Sequence, residues 1–367
     1  MAVISFKCPN CDGELIFSPE KQKFQCEYCM SAFSEAELEE LQPAVSTQEK
    51  TADAGTEPEM DAEDNGAFAE AENREQVEMD AVIYSCPSCG AEIITDSTTA
   101  ATFCYYCHNP VILGGKLEGK YLPNKIIPFE ISKEDAVNKF INYVSKKRFV
   151  PKAFFNKSQI EKISGVYFPY WLYNAKLDGY MSAKTKQVRS WTSGNIRHTE
   201  TKHYHVEREG EIELHNLTEN ALQKANVKLA EGVMPYRFET MRDFNMGYLS
   251  GFMAERRDIE REAVQGKMQK EMRSAAENML RDTIDYSSVV VEDCDINPKQ
   301  EGWFYCLFPV WTVTYKGKDG KMYYYSMNGQ TGEVCGVLPI DRKKLILSSV
   351  ALGLAILALG LIGGLLV

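Results

Sequence analysis

The sequence predicts an α+β protein made of two small four-cysteine modules, a disordered acidic linker, an antiparallel α+β body with an internal duplication, and one C-terminal transmembrane helix. Three observations lead there. Eight of the 11 cysteines form two copies of one pattern, residues 116–340 mix helical with alternating periodicity, and the run from Leu345 to Val367 carries no charge. The composition, 44% hydrophobic and 25% charged over 367 residues, excludes a wholly disordered or collagen-like chain. The net charge of −11 is unevenly spread, because residues 35–80 hold 16 Asp or Glu against Lys50 and Arg74. That stretch alone is −14, so the rest of the chain sums to +3 and shows no strongly basic nucleic-acid surface.

The cysteines define the first and third segments, 1–33 and 81–113. Cys8-Pro9-Asn10-Cys11 is followed after 14 residues by Cys26-Glu27-Tyr28-Cys29, and Cys86-Pro87-Ser88-Cys89 after 14 residues by Cys104-Tyr105-Tyr106-Cys107. The copies are offset by 78 residues throughout, and Glu14, Leu15-Ile16 and Tyr28 match Glu92, Ile93-Ile94 and Tyr106. Each Cys-x-x-Cys is a tight turn that points two thiolates at one cation, and a hairpin brings two such turns together. Zinc is the expected metal. The first site is Cys8, Cys11, Cys26 and Cys29; the second is Cys86, Cys89, Cys104 and Cys107. Both are structural in this reading, since four protein ligands leave no position for an activated water. Strands are expected over Glu14 to Phe17 and Lys23 to Gln25, and over Glu92 to Thr95 and Thr102 to Phe103. These residues resemble the zinc-ribbon family, of the type found in the transcription factor TFIIB and in many bacterial proteins. The resemblance implies the metal and the ribbon fold, and no particular task.

Between the modules lies the linker, 34–80. Ser34 and Glu37 form a capping box for a short acidic helix ending before Pro43, after which too few apolar residues remain to offset the entropy of ordering. The body, 114–340, opens with a helix capped by Ser132 whose apolar residues include Ala136, Val137, Phe140, Ile141 and Val144. A long strand or hairpin follows over 166–185, containing Phe168-Pro169-Tyr170-Trp171. The chain repeats this 140 residues later as Phe308-Pro309-Val310-Trp311, which predicts two related strand units. Proline inside each unit predicts an edge strand or a bulge. A charged helical stretch, 254–284, carries Met268, Met272 and Met279, and turns at Gly317 to Gly320 and Asn328-Gly329 close an antiparallel meander.

The last segment, 341–367, is predicted to anchor the chain. Leu345 to Val367 is long enough to cross a hydrocarbon core of about 30 Å, and Arg342, Lys343 and Lys344 precede it. With no leader ahead of Cys8, this gives a single-pass protein of the inner membrane with a cytoplasmic N-terminus. Gly360 and Gly364 form a GxxxG through which two copies could pair as a homodimer.

Enzyme chemistry has no nominated residue. Among motifs, a dinucleotide fingerprint, a phosphate loop, a nucleophile elbow and HExxH are all missing. His198, His203 and His205 cluster, with the last two on one strand face, and read as solvated histidines; Cys294, Cys306 and Cys335 read as packing. The order of parts resembles bacterial membrane-anchored zinc-ribbon proteins that accompany phage-shock and flotillin-like envelope-stress proteins. That resemblance implies a non-enzymatic adaptor, holding two structural Zn2+, that recruits cytosolic proteins to the inner membrane in envelope stress. The alternative is a nucleic-acid-binding zinc-ribbon protein tethered to the membrane, using Lys7, Lys21, Lys23 and stacking by Tyr105-Tyr106. It ranks second, because residues 1–33 carry these three Lys against Asp12, Glu14, Glu20 and Glu27.

Overall fold

The structure, a computed structural model, describes residues 3–4, 7–41, 81–85, 92–96, 98–103, 110–113, 116–117, 119–151, 154, 160–223, 232–317 and 320–365. The linker expected over 34–80 therefore lies outside the described residues from position 42 onward. Of the described residues, 46% are strand and 26% helix. The fold class is thus mostly β, which corrects the α+β expectation: three strands of 25 to 30 residues dominate the chain.

In chain order, β1 (Val3–Ile4) precedes a three-stranded sheet of β2 (Leu15–Ser18), β3 (Lys23–Cys26) and β4 (Ala32–Phe33), then α1 (Glu35–Leu41). The capping box is made: Ser34 N donates to Glu37 Oε2 at 2.6 Å, and Glu37 N to Ser34 Oγ at 3.3 Å. Next come β5 (Ala81–Ser85) paired with β6 (Glu92–Asp96), and β7 (Thr99–Phe103) paired with β8 (Pro110–Leu113). The body contains β9 (Lys125–Ile126), α2 (Lys133–Ser145), β10 (Ser164–Ser193), β11 (Ile196–Asn220), β12 (Arg242–Asp243) and β13 (Met253–Glu255). It closes with α3 (Arg261–Asp282), β14 (Ser288–Lys316), β15 (Met322–Asn328), β16 (Val334–Val337) and α4 (Arg342–Leu365). Eleven strands share one sheet, β1-β8-β7-β13-β10-β14-β15-β16, with β11 also on β10, and β9 bridging β14 and β12.

The two Phe-Pro-x-Trp segments pair with each other. β10 and β14 run antiparallel with Phe168 opposite Phe308, and a local twofold relation spreads from that point. Short strands add in parallel at equivalent places, β13 at Val166–Tyr167 and β9 at Cys306–Leu307. Each tryptophan indole donates 3.0 Å to a carbonyl of the opposite half, Trp171 to Ile259 and Trp311 to Ile131. Pro169 O accepts from Ala221 N at 3.0 Å and Pro309 O from Gly329 N at 2.8 Å. Proline here sits in central strands and not at an edge. In a strand the N–H and C=O of one residue face the same side, and on that side the neighbour changes, from β13 to β11 beside Pro169 and from β9 to β15 beside Pro309. The missing N–H falls in the gap between two partners, so no ladder bond is lost.

Alternation along the long strands buries both faces. Odd-numbered Tyr167, Trp171, Tyr173, Trp303, Tyr305 and Trp311 join the main core, while even-numbered Tyr170, Leu172, Phe304, Cys306 and Phe308 form a second cluster with Val233 and Tyr236. α2 contributes Ala136, Phe140 and Val144 to the main core, with Ser132 Oγ accepting from Asp135 N at its start. α3 lays Val264, Met268, Met272, Ala276 and Leu280, spaced every four residues, along β10 and β11. Met268 and Met272 are packing residues, and Met279 is exposed.

The expected membrane anchor is corrected as well. Among the described residues no helix is long and apolar enough to cross a membrane. The helix α4 runs over Arg342–Leu365 and opens on three cations, Arg342, Lys343 and Lys344. Gly360 and Gly364, nominated for pairing, fall within α4, and their surroundings lie outside what is described.

Candidate metal centre

Two turns of the same form build the site. Cys8 N donates to Gly13 O at 2.6 Å and Asp12 N to Cys8 O at 2.9 Å; in the second turn, Cys26 N donates to Ser31 O at 2.9 Å and Met30 N to Cys26 O at 3.0 Å. The residue after each second cysteine is left-handed, Asp12 at φ 58° and Met30 at φ 61°. That conformation costs a non-glycine residue about 1 kcal/mol or more, a cost tolerated here because it folds each Cys-x-x-Cys back upon itself. The hairpin β2–β3, with Leu15 opposite Cys26, brings the two turns together, and Gln25 opposite Ala32 fixes the far side of the second.

The four sulfur atoms converge. Cys8 Sγ lies 3.6 Å from Cys29 Sγ, Cys11 Sγ lies 3.5 Å from Cys26 Sγ, and all four are within 4.8 Å of one another. Metal–thiolate bonds of about 2.3 Å in a tetrahedron require sulfur pairs about 3.8 Å apart, so the set fits a four-coordinate metal ion. Cys8 and Cys26 are buried, whereas Cys11 and Cys29 face outward. Gly13 is required by close approach: a Cβ there would lie 2.6 Å from the Tyr28 ring, 3.1 Å from Cys26 Sγ and 3.3 Å from Cys11 Sγ.

Charge is poised unequally over these thiols. The Ser31 hydroxyl and amide hold the Cys29 thiol down to about 6. The Gly13 amide pulls the Cys11 thiol down too, but its neighbours Cys29 and Cys26 and its own desolvation outweigh that pull and push it up to about 12. Four thiols this close cannot all ionise without a cation between them, which is the electrostatic signature of a metal site.

The first module is not a free-standing bead. Leu15, Phe17 and Phe24 are buried in the main core of the body. Tyr248 packs on both Phe17 and Phe24, at ring distances of 4.9 and 5.6 Å, and its hydroxyl donates to Glu35 Oε2 at 2.9 Å. Phe17 N donates to Ser250 O at 3.2 Å, Ser250 Oγ donates to Leu15 O, and Gln22 Nε2 donates to Phe129 O at 2.8 Å. What faces outward is the tip of the second turn, where Tyr28 is 78% and Met30 68% exposed.

Cys86, Cys89, Cys104 and Cys107 lie outside the described residues. The backbone on either side of them is described, and it repeats two pairings of the first module but not its hairpin, since β6 pairs with β5 and β7 with β8 and β13 in separate sheets. Lys7 bridges Glu14 as Ser85 pairs with Glu92, and Gln25 pairs with Ala32 as Phe103 pairs with Pro110, all four positions shifted by 78.

Elsewhere, His203 and His205 lie on one exposed strand face, and His205 is within 3.5 Å of Glu207 and Glu292, an ion-pair setting. Cys306 is buried in the second core cluster. Sequence reasoning missed Arg257. Its guanidinium is buried over the rings of Trp171 at 4.8 Å and Tyr305 at 5.6 Å, is bound to Glu260, and donates 2.6 Å to Lys120 O. Under the twofold relation it takes the place of Phe129, which packs on Trp311 at 5.1 Å. An Arg within the charged run Glu255-Arg256-Arg257-Asp258 ahead of a helix carries no sequence signal for such burial.

No family model matches the chain, and no solved structure matches it. The uncharacterized protein YdjG of Bacillus subtilis (strain 168) is 30% identical over 313 residues, covering 72% of this chain and 92% of that protein. At that identity, and over nearly the whole of the relative, the chain belongs to the family of YdjG.

Proposed function

We propose that this protein is a non-enzymatic adaptor that holds two structural zinc ions and gathers cytosolic proteins at the inner membrane, in envelope stress. The observation that carries the reading is the outer tip of the metal-held turn. Tyr28 and Met30 are among the most exposed large apolar side chains of the described residues, and they sit at the second Cys-x-x-Cys turn, where Met30 is left-handed at φ 61°. A rigid, exposed aromatic beside a methionine is the kind of anchor that protein interfaces use. Zinc suits four thiolates at tetrahedral spacing, and the closed sphere leaves a metal there to brace the surface.

The repeated strand pairings around 86–91 and 104–109 support a second zinc site at Cys86, Cys89, Cys104 and Cys107, with Tyr106 at the position of Tyr28. The apolar side chains of α4, from Leu345 at 39% to Leu347 at 73% exposed, support contact with an apolar environment at the membrane face.

The test is crosslinking of the full chain in native membranes, followed by identification of what co-purifies. The parent is compared with Tyr28→Ala/Met30→Ser and with Cys8→Ser/Cys86→Ser. Protein partners lost in both variants support the adaptor reading. Protein partners that persist in both variants, or no protein partner in the parent, would remove it.

A further inference from the structure

The β10–β11 hairpin has a counterpart in the other half, β14–β15, and the two differ greatly in length. From its equivalent starting pair each runs outward, Tyr170 opposite Asn220 and Val310 opposite Asn328, but β14 turns at Gly317 to Gly320 while β10 continues to Ser193. The third strand gives out first: β14 begins at Ser288, opposite Lys186. Beyond it, seven residue pairs, from Gln187 opposite Lys202 to Ser193 opposite Ile196, form a ribbon of two strands alone. That free arm is about 23 Å long at 3.3 Å per residue. Every residue from Lys186 to His205 is exposed, and at the base of the arm Val188 N donates to Ser287 Oγ at 3.3 Å while Tyr204 meets Tyr286 at 5.2 Å. A bare two-stranded ribbon is marginal in water, and the shorter hairpin shows that the fold closes without one.

The arm differs in charge from the chain that carries it. Residues 186–203 contain Lys186, Arg189, Arg197 and Lys202 against Glu200, a net of +3 in a protein whose total is −11. Directly opposed residues share a face, which places Arg189 and Lys202 on one side of the ribbon, together with Glu200 opposite Arg189 and 3.6 Å from Lys202 Nζ, and Lys186 and Arg197 on the other. A flat anionic surface can be met by only one of these faces. A groove walled by two rows of phosphates meets both. The turn itself, Ser193-Gly194-Asn195, is polar, with Ile196 beside it 64% exposed as its only large apolar side chain, which does not suit insertion into lipid. Hydroxyls of Ser190, Thr192, Thr199 and Thr201 add donors for phosphate oxygens along the same length. The major groove of B-form DNA, about 12 Å wide, admits a two-stranded β-ribbon.

We infer that the arm formed by residues 186–203 is a groove-binding ribbon for double-stranded DNA, held mainly by phosphate contacts and without strong sequence preference. A net of three cations entering a groove gives a slope of about −2.7 for the logarithm of affinity against the logarithm of salt, or about 40-fold weaker binding from 50 to 200 mM. Affinity at low salt falls in the micromolar range that such contacts supply.

The arm contains its own reporter. Of the four tryptophans, Trp171, Trp303 and Trp311 are buried, while Trp191 is 46% exposed and stacked on His198 at 5.4 Å. The experiment titrates the full chain with a random-sequence B-form duplex and follows tryptophan emission at several salt concentrations. Emission should change on binding, Trp191→Phe should abolish that change, and Arg189→Gln/Arg197→Gln should flatten the salt slope by about two. These side chains are exposed on both faces, so the variants keep the fold, and far-ultraviolet dichroism checks it. The inference is overturned by no binding at low salt, by binding that the double variant leaves intact, or by Trp191 responding to phosphatidylserine vesicles and not to the duplex.

Discussion

Tyr248 is where the structure makes the metal module and the β body one unit, and Tyr248→Ala is the perturbation that separates them. The side chain is 3% exposed, its ring contacts Phe17 edge-on at 4.9 Å and Phe24 at 5.6 Å, and its hydroxyl reaches Glu35. Removing a buried aromatic costs about 3–5 kcal/mol, within which two aromatic pairs supply about 0.5–1.5 kcal/mol each. Tyr248→Phe keeps the ring and loses only a hydrogen bond to a carboxylate that water also reaches, about 1 kcal/mol. The loss concerns docking, so it is read at Phe17 N, which donates to Ser250 O across the joint. At 1.4 kcal/mol per tenfold, hydrogen exchange of that amide in the metal-loaded protein should quicken about 100-fold to a few thousand-fold in the alanine variant, and less than about tenfold in the phenylalanine variant. Amides of the long strands distant from the joint, such as Leu177, should hardly change. Unchanged exchange at Phe17 in the alanine variant would mean that the metal alone holds the module, and that the shared core contributes nothing.

Metal affinity should fall with acid: Cys11, pushed up to about 12, must lose its proton to bind, so chelator competition between pH 7 and 9 should show at least a tenfold gain per pH unit, and one further unit of slope should appear below about pH 6, where Cys29 protonates. Gly13→Val should weaken metal binding more than any change at exposed Lys21, because its side chain would intrude on two sulfur atoms; equal affinities by competition would contradict the close approach. Glu260→Gln strips the buried Arg257 of its carboxylate and should cost about 2 kcal/mol by denaturant midpoint, the usual penalty of a broken buried pair reduced by the partial exposure of Glu260. Burial pushes the Glu260 carboxyl up, but Arg257 and Lys120 outweigh it and hold it below the usual carboxylate range. Its contribution is therefore present above that range and is lost as pH falls through the depressed value, so the parent and Glu260→Gln should converge in stability in acid.

How much of this could be read from residues alone depends on the range of the signal. The thiol set at Cys8, Cys11, Cys26 and Cys29 was legible, because two turns of fixed spacing encode their own geometry and need only a hairpin to meet. The Phe-Pro-x-Trp repeat marked the strands that lie at the centre of the sheet, yet its prolines pointed to edges; the gap between two neighbouring strands that accommodates each proline is a long-range feature. The length of β10, β11 and β14 was not legible either. Residues 186–203 are polar on both faces, so alternation vanishes just where the arm leaves the core. Nor does the sequence of the first module show that its core is shared with Tyr248, 213 residues away from Glu35. The apolar C-terminal run pointed to a membrane anchor by length and hydropathy, whereas among the described residues no helix is long and apolar enough to cross a membrane.

The central claim is that four converging thiols hold a metal ion, and that the repeat 78 residues on holds a second. Metal content of the purified full chain, measured by plasma mass spectrometry beside Cys8→Ser, Cys86→Ser and the double variant, tests it most directly. The account predicts two zinc ions per chain, one in each single variant and none in the double, with sulfur-only coordination at about 2.3 Å by X-ray absorption. Metal that stays at two in either single variant, or a chain that binds none under reducing conditions, would contradict it.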